Sequence, residues 1–597
     1  MIATGAAEFA QGLSDIQAGD IFCITGAGNL ALVDELVKAG HPIHYFHHEQ
    51  AAAMAAIGYW RVCKKVPIVL VTTGGGSSNV ATGLLSAYLD SIPILVVTGN
   101  EGSYHIAAMN GLRAYGVQGF DSVGMFRGIT KRSERLRGDV GVRNVIRAAV
   151  KSATSGRPGP VHLDFPMDLQ RSEDKSIQVQ VETTDEDSIQ AAIRENSADA
   201  SKKIISALET SLRPVILVGQ GLTKPDAIVH FCQNRGIPFS PSWSAIDKYD
   251  DENSLNIGRL GIYGERSTNF AVQAADLVIC LGTRLSIPQV GYDRGDFGRN
   301  ATKIVVDIDP LELAKHRADN YILLNADANE VVVHLLDSTI RSPNFQDWVG
   351  QLHLTKEILP KFEYETDEPE LRTGYIHSLD FVERLNGILD DDAVVVTDVG
   401  AGLISGHYGF RSNGERLLFT SQGLGEMGFG LPGAIGASIA DRGRQVVCLS
   451  TDGGIMFNLQ ELQTVQTKKL PLKVVIFNND GYGMIKISQS NLFGGRFAGS
   501  ESGSDISFPN FSRLAYAFGF DYLEVEGPEN VYSLKALMKT NSASIIEVKM
   551  DPNQKYLPRL GTRKLSDGSL QSPGLEDLDP PLSREKMAKA KDVLGIE

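Results

Sequence analysis

Cysteine is scarce in this chain: five in 597 residues, at Cys23, Cys63, Cys232, Cys280 and Cys448, far apart and with no CxxC pair. That spacing excludes a disulfide framework and a structural zinc site. It suits reduced thiols, four of them in apolar surroundings as small hydrophobes. No apolar run approaches the ~20 residues that a membrane span requires. The opening MIATGAAEFAQGL lacks a basic stretch followed by an apolar one, so no secretory leader is read there and a cytoplasmic protein is expected. A basic excess is missing as well: 57 Lys and Arg against 72 Asp and Glu leave a net charge of −15. Nucleic acid and anionic membranes need a basic surface, so neither is expected as a partner.

What is present is an ordinary globular composition, 42% hydrophobic and 22% charged with 61 glycines spread throughout. A chain this long exceeds one core and divides into about three or four domains. Short β-branched runs alternate with helical patterns along most of it, the signature of parallel sheets covered by helices on both faces. IFCIT, PIVLVTT, PILVVTG and PVHLDF are the strands of a first block. PVILVGQG, DLVICLGTR and KIVVDIDP form a second, and AVVVTDVG, QVVCLSTDGG, LKVVIFNNDG and SIIEVKMD a third. The expected fold class is therefore α/β, with three doubly wound parallel-sheet domains, at 1–180, 190–362 and 375–551. Polar stretches near 181–201 and 363–374 read as linkers. After Asp551 the alternation fails, and 552–597 reads as a C-terminal extension that lies over other parts of the fold or is mobile.

Ligands of open parallel sheets bind beyond the carboxyl ends of the strands, so the strand exits carry the chemistry. The sharpest is LSTDGG, followed 27 residues after Asp452 by Asn479 in NNDGYG. One helix and a return strand fit in that interval and set both side chains at neighbouring strand ends. Asp452, Asn479 and the carbonyl near Gly481 supply the few oxygen ligands that Mg2+ takes alongside phosphate oxygens. Gly453 and Gly454 let backbone amides approach a phosphate at the start of the following helix. The bland alternative is a pair of ordinary turns. A second oddity is FHHEQAAAMAAIGYW, where Glu49 opens an otherwise apolar run. A carboxylate there needs a partner or a use.

The acid between small residues followed by NN resembles the thiamine-diphosphate motif GDG…NN, with Thr451 in place of its first glycine. HEQAAAMAAIGYWR, TTGGGSSNVATGLLSAYLDSIPILVVTG, TSGRPGPVHLDFP, GLGEMGFGLPGAIGA and LPLKVVIFNNDGYGMI likewise resemble segments of acetolactate synthases and their flavin-containing relatives, over nearly the whole chain to about Asp551. The resemblance implies a pyrimidine-binding domain, a central flavin-type domain and a diphosphate-binding domain, and a homodimer or homotetramer whose active sites lie at the subunit interface. It implies thiamine diphosphate and Mg2+ as cofactors. Glu49 is then the carboxylate that hydrogen-bonds the aminopyrimidine and promotes activation of the thiazolium carbon, with Ala51 to Ala56 as a dry wall that strengthens the bond. Met427 matches the wedge beneath the bent cofactor. Val399, Gly400, Gly425, Gly75 and Asn79 fall at cofactor-contacting positions, and Gln118 matches the glutamine that approaches the reacting carbonyl. A structural FAD is implied at Gly219, Gly221, Arg284 and Asp307.

Two departures bear on the acceptor. Pro288 stands where acetolactate synthases carry an arginine that holds the acceptor carboxylate, and Ser488 stands where they carry a large tryptophan. With His48, His105 and Lys486 as polar contacts, the pattern suggests a larger, less acidic acceptor, such as the keto sugar of a nucleotide-activated substrate. The leading expectation is a carboligase that decarboxylates pyruvate and passes the two-carbon unit to a carbonyl other than a second pyruvate. Acetolactate synthase proper, a simple 2-oxo acid decarboxylase, and a homologue that binds without turnover are the alternatives.

Overall fold

The computed structural model describes residues 4–107, 111–137, 141–173, 186–316, 318–338, 344–362, 374–564, 567 and 570–596. Most of the linker expected at 363–374, and the start of the one expected at 181–201, lie outside the described residues. The chain forms two units: Met1–Thr183 with Thr373–Leu403 and Leu418–Pro552, and Thr184–Arg372 with Ile404–Leu417 and Asn553–Glu597.

The first unit holds two sheets. One comprises β1 (Ile21–Cys23), β2 (Ile43–Tyr45), β3 (Ile68–Val71), β4 (Leu95–Asn100), β5 (Arg132–Arg135) and β6 (Val161–Pro166), ordered β2-β1-β3-β4-β6-β5 with every pair parallel. β-Branched and leucine side chains suit a strand covered on both faces, and Ile68 to Val71 are fully buried. The second unit contains β7 (Pro214–Val218), β8 (Phe239–Pro241), β9 (Leu277–Leu281), β10 (Thr302–Asp307) and β11 (Tyr321–Asn325), ordered β11-β10-β9-β7-β8 and parallel throughout. The other sheet of the first unit has β12 (Val394–Thr397), β13 (Leu417–Phe419), β14 (Val446–Thr451), β15 (Lys473–Asn478), β16 (Asp521–Val525) and β17 (Ser544–Lys549), ordered β13-β12-β14-β15-β17-β16. Counted from its own first strand, this order is the same permutation as in the first sheet. The first unit is one architecture built twice.

Equivalent helices of the two copies meet. Helix α1 (Glu49–Cys63) follows β2, and α3 (Gly430–Ala440) follows β13; between them in sequence lies α2 (Ala81–Leu89). A Cβ on Gly58 would stand 2.0 Å from the Gly433 carbonyl oxygen, and one on Gly436 would stand 1.8 Å from that of Ala55. Only glycine allows two backbones this close. Ala51 to Ala56 are all fully buried. The alanine run thus has a packing cause distinct from the dry wall expected around the carboxylate: small side chains let α1 lie against α3.

In the second unit the C-terminal segment is part of the core. Leu560, Leu575, Leu578, Ala590 and Leu594 pack with Val215, Phe270 and Trp348. Asn269 donates to the Leu575 carbonyl at 2.8 Å and Arg266 to that of Leu578 at 2.9 Å. No helix among the described residues is long and apolar enough to cross a membrane.

Candidate active site

Glu49 is the first residue of α1, immediately after its N-cap His48, whose Nδ1 accepts from the Gln50 amide at 3.1 Å. An acid in a first helical turn is favoured by the helix dipole. Asn79, at the end of the short helix Gly75–Asn79, donates to Glu49 Oε2 at 3.0 Å. Gly76 packs on Thr72, whose Cγ2 would stand 2.7 Å from a Cβ there, and no described atom lies within 4 Å of where a Cβ on Gly75 would stand. Gln118 is exposed and bends over Gly74, its Nε2 3.4 Å from the Thr73 carbonyl. His105 is an exposed residue of the helix Ser103–Ala107. Glu49, Asn79, Gly75 and Gln118 thus belong to one strand-exit edge of the first sheet.

At the exit of β14 in the other sheet, Asp452 is fully buried. It accepts three backbone amides, from Gly453 at 2.8 Å, Asn479 at 3.1 Å and Gly481 at 3.0 Å. Those bonds lower its pKa, but burial outweighs them and pushes the carboxyl up to about 7. Beside it, the buried Oδ1 of Asn479 has no hydrogen-bond partner. A carboxylate short of solvation next to an orphaned carbonyl oxygen is a donor set that fits a small hard cation. The Tyr482 ring packs where a Cβ on Gly453 would stand. Thr451 has a role of its own: its hydroxyl accepts the Gly454 amide at 2.9 Å. That amide, expected to face a phosphate, is occupied here, and two short 3-10 turns intervene before α4 (Leu462–Lys468) begins.

The loop around Met427 hangs from a buried acid, Asp398. Asp398, one residue past β12 and fully buried, accepts from Val399 N at 2.9 Å, Gly428 N at 2.9 Å and Ser450 Oγ at 3.1 Å. Burial raises its pKa to about 6 despite these bonds. Gly400, Gly425 and Gly428 have φ of +84°, +69° and +86°, so the turns flanking Val399 and Met427 need glycine. The signal in the sequence was there, an acid ending an apolar strand, as in Asp452.

Two further carboxylates join the copies of the architecture reciprocally. Buried Glu461 accepts the His48 and His47 amides at 3.1 and 3.2 Å, just before Glu49. Asp90 accepts the Gly423 and Gln422 amides at 2.7 and 3.1 Å, just before Met427. Each domain therefore holds the entry to the other's central helix. Next to Met427, Glu426 accepts from Ser421 Oγ, itself 2.8 Å from Ser86 Oγ, while its buried Oε1 has no partner. Burial raises the Glu426 pKa from 4.5 to about 7. Between those values the folded chain retains a proton that the unfolded chain releases, so stability falls as pH rises through this window. Glu426→Gln is expected to raise the melting temperature at pH 8, by up to about 3 kcal/mol of stability, and to change it little at pH 5. Thermal melts at the two pH values check this; an equal gain at both would count against it.

In α5 (Gly483–Phe493), the Ser488 hydroxyl turns back to the Met484 carbonyl at 3.0 Å, and buried Lys486 pairs with Glu501 at 3.1 Å. Pro288 belongs to the second unit, where its carbonyl accepts from Ile262 N at 2.9 Å. There Gly219 and Gly221 press against Gly282 at the exits of β7 and β9. Asp307 accepts from Asp309 N at 2.9 Å, and Arg284 lies 3.5 Å from Glu312. Near these exits Gln220 Oε1, Trp243 Nε1 and Gln289 Nε2 are buried and unpartnered. Such orphans cluster where a ligand completes the hydrogen bonding.

Comparison with known proteins agrees with the three sheets. Residues 3–125, 201–335 and 398–548 match the thiamine pyrophosphate enzyme N-terminal TPP binding domain, central domain and C-terminal TPP binding domain, respectively. The acetolactate synthase large subunit of Lactococcus lactis subsp. lactis (strain IL1403) is 30% identical over 567 residues, 93% of this chain and 94% of that one. Acetolactate synthase isozyme 1 large subunit of Escherichia coli (strain K12) is 30% identical, covering 90% of this chain and 92% of its own. The isozyme 2 large subunit from the same strain is 31% identical, at 90% and 94%.

Proposed function

From the premise that the chain belongs to the thiamine-diphosphate enzymes, as an acetolactate synthase-like and acetaldehyde-transferring member, we propose that it decarboxylates pyruvate and transfers the two-carbon unit to a carbonyl acceptor other than a second pyruvate. Thiamine diphosphate, when bound, supplies the nucleophilic carbon and the electron sink for both half-reactions. The residues do the rest. Glu49, fixed by Asn79 and by the Glu461 clamp behind it, offers a carboxylate to the aminopyrimidine of the cofactor. Asp452, Asn479 Oδ1 and the backbone at Gly481 would hold Mg2+, and Gly453 and Gly454 would lie along the diphosphate, with the Gly454 amide already bonded to Thr451. Val399, Gly400 and Gly425 would border the pyrimidine, and Met427 would support the cofactor from beneath. Gln118 faces the reacting carbonyl.

The acceptor reading is carried by one observation: Ser488, its hydroxyl folded onto its own helix, puts a small side chain where the resembling enzymes carry a tryptophan. Pro288 supports it, having no cation with which to hold a carboxylate. His48, His105 and Lys486 are the polar contacts proposed for the acceptor. In the second unit the unpartnered Gln220, Trp243 and Gln289 atoms support a bound FAD at Gly219, Gly221, Arg284 and Asp307, structural because no net redox change occurs. Large exposed apolar side chains such as Met456, Phe457 and Tyr45 support a homodimer or homotetramer with active sites at the interface. Five free cysteines suit a cytoplasmic location.

Product analysis tests the proposal. With pyruvate alone, acetolactate is expected to be a minor product; with pyruvate plus a panel of ketones and keto sugars, branched adducts are expected to form at least about ten-fold faster, the scale of a 1.4 kcal/mol preference. Acetolactate as the sole product would instead make the chain an acetolactate synthase, and free acetaldehyde alone a simple decarboxylase.

A further inference from the structure

The loop that carries Gln118 has an unusual support. Tyr115 and Gly119 exchange backbone hydrogen bonds at 3.0 and 2.8 Å, closing a tight loop whose tip, Val117, is 92% exposed. A polar side chain on such a tip has little packing to orient it. Beneath it sits Glu101, only 6% exposed and directly after β4. Its Oε1 accepts the Val117 amide at 2.9 Å and the Gln118 amide at 3.2 Å. The loop curls onto this carboxylate through two glycines: a Cβ on Gly116 (φ +60°) would stand 2.5 Å from Glu101 Cδ, and one on Gly119 2.7 Å from its Cγ. Glycine is required at both, by space and at Gly116 also by conformation.

A second fixed point lies at the base of the loop, two residues before the tip and three after it. Tyr115 donates to the Phe120 carbonyl at 2.8 Å and receives Asn100 Nδ2 at 3.2 Å. Asn100 donates in turn to both oxygens of Asp164 at 2.9 Å, and Asp164 is fully buried against Arg135. The loop is thus hung from the exits of β4 and β6. Glu101, however, hydrogen-bonds the backbone of the residue whose side chain matters. Hydrogen bonds to a charged acceptor are roughly twice as strong as neutral ones, so the backbone at Val117–Gln118 is held while the side chain stays accessible.

We propose that Glu101 is a positioning residue: it fixes the Gln118 backbone so that the side-chain amide is presented on the same strand-exit edge as Glu49. This rests on the reading of Gln118 as a substrate-facing group. The test uses the full chain with thiamine diphosphate and Mg2+, assayed for pyruvate consumption. Glu101→Ala is expected to lower kcat about ten-fold, the kind of loss a small misplacement produces, with cofactor affinity and melting temperature near wild type. Gln118→Ala should show a similar loss, and the double variant should be no slower than Gln118→Ala alone, because only one interaction is being removed. Glu101→Gln keeps an acceptor oxygen and should recover most of the rate. If Glu101→Ala does not accumulate as folded protein, Glu101→Asp replaces it with the same expectations. Glu101→Ala, or Glu101→Asp in its place, within two-fold of wild type, or losses that multiply in the double variant, overturns the proposal while leaving Gln118 in place. A wild-type rate in Gln118→Ala overturns the underlying reading, and this proposal with it.

Discussion

Replacing Glu49 with Gln is expected to slow pyruvate consumption by about 10²–10⁴-fold, the span of a positioned acid–base group. The substitution is nearly isosteric, and glutamine still accepts from Asn79, so the contact seen at 3.0 Å survives. What disappears is the negative charge that the aminopyrimidine needs from its partner. The helix loses only a favourable charge at its first turn, worth about 0.3–1 kcal/mol, so the melting temperature should move little. Thiamine diphosphate affinity should change by less than about ten-fold, since most of the proposed contacts to the cofactor come from other residues. Steady-state rates together with cofactor titration separate these effects. A Glu49→Gln enzyme at the wild-type rate would remove Glu49 from the chemistry.

Asp452→Asn is expected to abolish the stabilisation by Mg2+ and thiamine diphosphate together, and to lower activity by at least about 100-fold. Asp452 offers two oxygens to three amides. Asparagine keeps one oxygen and turns an NH2 group toward amides that need an acceptor. It also lacks the charge that a divalent ion requires. Without ligand the cost is partly offset, because burial already disfavours the Asp452 carboxylate. The discriminating measurement is therefore the ligand-induced shift in melting temperature. At saturating cofactor, about 100 times Kd, wild type should gain about 2.7 kcal/mol, and the variant close to nothing. Wild type stripped with EDTA should behave like the variant until Mg2+ is returned. A variant that keeps the full shift would mean the cation is held elsewhere.

The eleven interior strands of the three sheets were legible from the chain, and the six edge strands, β2, β5, β8, β11, β13 and β16, were not. Interior strands are covered on both faces and read as unbroken β-branched runs, as in VVCLST of β14. Several edge strands are short or polar: IHY, FSP and RSER have no such run, although β11, YILLN, does. Position at the edge leaves less surface to bury, and the signal fades with it. In the candidate site, Glu49 stood out as a carboxylate in an apolar run, and Asp452 and Asn479 as oxygen side chains at strand exits 27 residues apart. Asp398 carried the same signal as Asp452 and was passed over, whereas Asp90, Glu461 and Glu101 carried none, because each acts by accepting amides from other segments of the chain. Spacing along a chain cannot reveal such partners; Glu461 and His48 are separated by 413 positions. The C-terminal segment was hidden for a related reason: its leucines are too sparse for a periodic pattern, yet Leu560, Leu575 and Leu578 reach the second unit's core.

The crossing of α1 with α3 sets a timetable for biosynthesis. Gly58 and Gly433 meet in the folded first unit, but at about 5–20 residues per second a ribosome needs roughly 20–75 s to pass from one to the other. Throughout that interval α2 covers α1 at Ala53, but the face that Ala55 and Gly58 turn to α3 lacks its partner, and the second unit's sheet emerges in between. The nascent first domain therefore waits half-finished, presenting a small-residue helix face that a holding chaperone can cover until the C-terminal half arrives.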